Sequence, residues 1–110
     1  MKFILLIIGL FISSACLAGN ANGNITDLRA SNTSDSVIFA VSGEIEDSAN
    51  CNKGQMFAIN LATSGGQAVF ELVKYAFLND LEVEINGLGT CVAHWRSEDV
   101  KDVALRKPAP

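Results

Sequence analysis

The sequence predicts a mainly β domain of the α+β class, a twisted or closed sheet of about five strands with one helix packed across it. Three observations carry this reading. Segments on either side of residues 62–80 alternate apolar and polar residues with the period of two that a half-buried strand requires. One stretch, 67–78, changes to the three-and-four spacing of an amphipathic helix. Two cysteines, Cys51 and Cys91, remain once a leader-like N-terminus is set aside, and two cysteines permit a single internal bridge.

The elements follow in order. Ile25 to Ala30 is a candidate first strand. Ser36 to Ile45 is a stronger one: Val37, Phe39, Val41 and Ile45 share one face, and Gly43 interrupts it at a bulge or sharp bend. Glu46 to Gly54 is a loop that holds Cys51. Gln55 to Leu61 is almost continuously apolar, which predicts a strand buried on both faces. Ser64 and Gln67 have capping-box spacing, with Gly65-Gly66 giving a tight entry to the helix. Within Gln67 to Leu78 the inward stripe is Val69, Leu72, Val73, Ala76 and Phe77, and Asn79-Asp80 ends it. Leu81, Val83 and Ile85 point inward from the next strand, and Gly87 and Gly89 bracket a turn or bulge before Cys91. A last strand lies within Val100 to Leu105.

The first 18 residues read as a secretory signal peptide. Lys2 precedes the apolar run Phe3 to Ile12, which is too short to cross a membrane, and small residues follow. Cys16-Leu17-Ala18 presents small residues at −3 and −1 for cleavage before Gly19. The competing routes are lipidation of Cys16, which has Ser13 where lipoprotein signals usually carry Leu, and retention as an uncleaved anchor. Plain cleavage is the favoured route and places the protein in the periplasm or outside the cell, with no membrane attachment unless Cys16 is lipidated. Residues 19–24 then form a flexible leader, 25–105 a single domain and 106–110 a solvated C-terminal tail.

The chain has 8 Lys and Arg against 12 Asp and Glu, a net charge of −4 that becomes −5 when Lys2 leaves with the signal. An acidic domain of this kind lacks the basic footprint of a nucleic-acid binder. Export puts Cys51 and Cys91 where disulfides persist, and closing some 40 residues is worth about 4 kcal/mol in the chain-entropy model. Two free thiols are the alternative. Two cysteines and one histidine make a poor metal set, and nothing in the sequence calls for a cofactor.

The stretch Phe57-Ala58-Ile59-Asn60-Leu61, Gly66-Gln67-Ala68, Leu72, Ala76, Val83 and Gly89-Thr90-Cys91 resembles a pattern in small secreted bacterial proteins, with Cys51 in the place of the upstream partner cysteine. The same order of strand, helix and strand is similar to the binding subunits of pentameric toxins of the subtilase-cytotoxin type. The resemblance covers about half the chain. It implies an OB-like five-stranded barrel capped by a helix, glycan binding and a homo-oligomer. The tyrosine- and serine-rich sugar-contacting segments of those subunits have no clear counterpart here.

The candidate binding residues are His94, Trp95 and Arg96, just after Cys91. Trp95 offers a broad apolar face with a hydrogen-bonding edge, suited to sugar stacking or a protein interface; the alternative is a plug for one end of the barrel. His94 would be needed by any Ser-His-Asp or Cys-His mechanism, but no serine lies in a Gly-x-Ser-x-Gly context; its plainer role is a partly exposed polar residue beside the bridge. The carboxylates Glu44, Glu46 and Asp47, and Glu98, Asp99 and Asp102, read as solvated faces rather than a glycosidase pair. The expected function is a non-catalytic exported binding module for a glycan or a protein. The alternatives are an envelope structural or inhibitory protein that blocks a partner enzyme, and a small hydrolase using carboxylates or His94.

Overall fold

A computed structural model of the chain describes residues 18–107. Most of the expected signal peptide, 1–17, and the tail residues 108–110 lie outside the described residues. The elements are β1 (Asn20–Ala30), β2 (Ser36–Val41), β3 (Phe57–Asn60), α1 (Ser64–Asn79), β4 (Glu82–Gly87) and β5 (Glu98–Arg106). The strands close into a barrel in the order β1-β2-β3-β5-β4. β3 and β5 run parallel and all other neighbours are antiparallel. This is the mainly β, one-helix, single-disulfide class that the alternation and the period change predict.

Closure depends on β1 serving two partners. Its first half pairs with β4, from Asn20 opposite Asn86 to Asn24 opposite Glu82. Its second half pairs with β2, from Ile25 opposite Val41 to Ala30 opposite Val37. The expectation of a flexible leader at 19–24 is therefore corrected: Asn20 to Asn24 are polar, but their backbone groups are spent on the β4 ladder, and Ala21 is buried. A bend falls at Ser42–Gly43, as the interruption of the β2 pattern predicts, and a register shift lies between Ile25 and Asp27, where β1 passes from one partner to the other. Gly43 lies beyond β2, and a Cβ there would sit 2.0 Å from the Asn22 carbonyl oxygen, so its role is close approach. A second irregularity, between Asn86 and Gly87, falls where the Gly87–Gly89 pattern predicts a turn or bulge.

The core is Phe39 stacked on Phe57 with ring centroids 5.8 Å apart, surrounded by Val37, Ile59, Val83 and Ile85. Phe57, Ala58 and Ile59 are all buried, as the continuous apolar run requires. Val73 and Ala76 of α1 close one side, with Val69 and Phe70 packed at the edge. Leu72 and Phe77, expected inward, are 42% and 39% exposed. The barrel offers the helix a narrower contact than a five-residue stripe needs, and Phe70, outside that stripe, packs against the core.

Both helix ends differ by one residue from the sequence reading. The N-cap is Thr63, whose Oγ1 accepts from the Gly66 N–H, while the Gln67 side chain donates to the Leu61 carbonyl rather than completing a box with Ser64. At the C-terminus Asp80 takes the left-handed conformation, with φ 55°, and Asn79 donates back to the Tyr75 carbonyl. Arg106, expected in the tail, belongs to β5 and pairs with Glu84.

Candidate functional site

The Cys51–Cys91 disulfide is formed, with Cα atoms 6.1 Å apart, and ties the loop before β3 to the loop between β4 and β5. That second loop, residues 88–97, carries all three candidate binding residues, and two buried carboxylates fix its path. Asp99 accepts from Thr90 Oγ1 at 2.7 Å and from the N–H groups of Val92 at 2.8 Å and Ala93 at 2.9 Å. Glu98 accepts from the Gly89 N–H at 2.9 Å. The reading of Glu98 and Asp99 as solvated is thereby corrected: Glu98 is 0% exposed and Asp99 is buried. A carboxylate leaves water when several N–H groups replace it, and the backbone of this loop supplies them. Asp102 remains on the surface, bonded to Asn86 Nδ2, as do Glu44, Glu46 and Asp47.

The tip of the loop is a reverse turn. The Ser97 N–H donates to the His94 carbonyl at 3.2 Å. His94 Nδ1 lies 3.0 Å from Ser97 Oγ and accepts from the Arg96 N–H at 3.3 Å. With Nδ1 accepting, the neutral ring carries its proton on Nε2, which is left for an outside partner. Ser97 is only 1% exposed, and its contact with His94 spans the turn. Trp95 stands 75% exposed at the apex, which sets aside the alternative of a barrel plug. The Arg96 guanidinium lies over the indole, 5.2 Å from the ring centroid, and the His94 ring is centred 6.3 Å from it, tilted by 33°. His94 is half-buried, as expected.

His94 also forms one wall of a cleft of about 250 Å³ against the β1–β2 connection, whose lining includes Arg29, Ser31, Ser34 and Ser36. These residues come from about 58 to 65 positions upstream of His94, and no local pattern in the sequence marks them. A larger cleft of about 480 Å³ lies between Val92 and Ala93 of the loop, the start of α1 at Gly65 and Gly66, and Val100 of β5. Residues of the 88–97 loop line both clefts, and Leu88, Val92 and Trp95 stand exposed along it. Among the described residues, no group of three His, Cys, Asp or Glu side chains is placed to hold a metal ion. No described helix is long and apolar enough to cross a membrane.

No family model, curated protein or solved structure matches the chain.

Proposed function

We propose that the protein is an exported, non-catalytic binding module of the OB-like barrel type that recognises a glycan with the tip of its β4–β5 loop. The observation that carries this reading is the exposed Trp95, backed by Arg96 and set beside the cleft between His94 and the serine-rich β1–β2 connection. An indole face takes the apolar face of a sugar ring, and the hydroxyls of Ser31, Ser34 and Ser36 with the Arg29 guanidinium are the donors and acceptors that sugar hydroxyls pair with. In OB barrels, oligosaccharides and oligonucleotides bind over strands 2 and 3 and the 1–2 and 4–5 loops, and this cleft lies between those two loops. The net negative charge favours the oligosaccharide. Export through the N-terminal signal accords with a disulfide-bonded domain, secreted or periplasmic.

A glycan array probed with the protein is expected to give specific binding that Trp95→Ala reduces by about tenfold or more. Absence of glycan binding, with a strictly monomeric protein in solution, overturns the reading.

A protein partner is the second reading, and the outer face of α1 favours it. Leu72, Tyr75 and Leu78 stand exposed there, about one turn apart. Co-purification of a single envelope enzyme, lost on Tyr75→Ala and kept on Trp95→Ala, would select this reading over the first.

A further inference from the structure

Glu98 is the one fully buried acidic side chain among the described residues, and no lysine, arginine or histidine there forms an ion pair with it. Three backbone N–H groups satisfy it: Ala49 on Oε1 at 3.1 Å, and Gly89 and Gly19 on Oε2 at 2.9 and 2.7 Å. The shortest contact is to Gly19, the first residue after the cleavage point that the sequence marks at Ala18. Burial changes abruptly at that bond, since Ala18 is exposed and Gly19 is buried. Glu98 and Ile45 close in on Gly19: a Cβ there would lie 2.7 Å from Glu98 Oε1 and 2.9 Å from Ile45 Cγ2, so both side chains would have to shift. The Gly19 carbonyl in turn accepts from the Gly87 N–H at 2.8 Å.

We propose that removal of the leader between Ala18 and Gly19 creates the counter-ion of Glu98, so that the new α-ammonium of Gly19 forms a buried ion pair that only the processed chain possesses. A signal peptidase adds water across the peptide bond: the Ala18 carbonyl carbon takes the hydroxyl, and the Gly19 nitrogen takes a proton and leaves as an amine. A free α-amine titrates near 8, so in neutral medium it takes up a second proton from solvent and is cationic. Its position against Glu98 is already built. Because the preceding residue is exposed, water fills the vacated place and solvates the N–H bonds not directed at the carboxylate. Lipidation at Cys16 would leave Ala18 attached and the Gly19 nitrogen a neutral amide. Removal of one residue more would delete the nitrogen altogether. The site therefore selects one N-terminus among those open to the sequence.

The pair acts on the whole domain. Through Ala49 and Gly89, Glu98 also holds the two loops that carry Cys51 and Cys91, so the processed N-terminus helps to align the cysteines. Cleavage comes before barrel closure, because the scissile nitrogen is inaccessible once the fold is complete.

The test begins with the full chain exported under its own leader. Mass spectrometry of the product is expected to show Gly19 as the first residue with a free amine, and a start at Cys16, Asn20 or any other residue overturns the proposal. The product is then compared in urea at pH 6.5 with the same protein retaining Ala18, each with Glu98 and with Glu98→Gln. Retention of Ala18 is expected to lower the folded-to-unfolded ratio about tenfold or more beside Glu98 and less than about twofold beside Glu98→Gln. An equal effect in both backgrounds overturns it. Should Glu98→Gln fail to fold, acylation of the α-amine decides: about tenfold slower in the product than in the Ala18-extended protein supports the pair, and equal rates overturn it.

Discussion

The Arg96 guanidinium lies over the Trp95 indole at the apex of the β4–β5 loop, with Cζ 5.2 Å from the ring centroid. Both side chains are exposed, so the stack sets the attitude of the indole without adding much to the fold. Trp95→Ala and Arg96→Ala are each expected to change unfolding free energy by under about 0.5 kcal/mol, read by circular dichroism in urea. A large loss of stability in either variant would mean that the apex is structural.

Asp99 is the opposite case, an acidic residue whose removal is felt through the backbone. Asp99→Ala strips Thr90, Val92 and Ala93 of their common acceptor. The expected cost is about 1–2 kcal/mol, since three half-buried hydrogen bonds to a charged acceptor are lost. Faster amide exchange at Val92 and Ala93 should accompany it, with β1 and β2 unaffected.

Two adjacent glycines at the start of α1 give a matched comparison. A Cβ on Gly66 would lie 1.7 Å from the Asn60 carbonyl oxygen, whereas one on Gly65 meets nothing within 4 Å. Gly65→Ala is expected to stabilise the protein by about 0.5–1 kcal/mol through helix propensity. Gly66→Ala is expected to destabilise it by about 2 kcal/mol or more, because β3 or the first turn has to move. Thermal unfolding of the two variants side by side reads the difference in sign.

The helix stripe and the barrel interior also separate cleanly. Phe39→Ala removes a ring stacked on Phe57 in the centre of the core and is expected to cost about 3–5 kcal/mol. Leu72→Ala, on the half-exposed flank of α1, is expected to cost less than about 1 kcal/mol by the same urea measurement.

What the residues disclosed in advance follows the strength of their local patterns. β2, β3 and β4 were legible because Val37 and Phe39, Phe57 to Ile59, and Val83 and Ile85 carry their burial in their own chemistry. The opening of β1 was not, because Asn20 to Asn24 have no apolar rhythm and are ordered by a partner strand some 60 residues away. Glu98 and Asp99 carry a charge that ordinarily marks a solvated face. All but one of the donors that bury them, those of Gly19, Ala49, Gly89, Val92 and Ala93, are backbone groups, and side-chain chemistry does not announce those; the exception is the Thr90 hydroxyl. His94, Trp95 and Arg96 were legible as neighbours, but the far wall of their cleft depends on barrel closure.

That closure has one narrow junction. β3 and β5 meet in register only at Phe57 with Glu98 and Ala58 with Asp99, while every other pair of neighbouring strands is matched over a longer run. Cys51 lies a few residues ahead of β3 and Cys91 a few residues ahead of β5, so the sulfur link works as a clasp across the shortest stitch of the cylinder. A reductant that opens it leaves the other four strand contacts in place. The sheet can then unroll from this edge, which turns a covalent bond between two loops into the latch that keeps an open sheet a barrel.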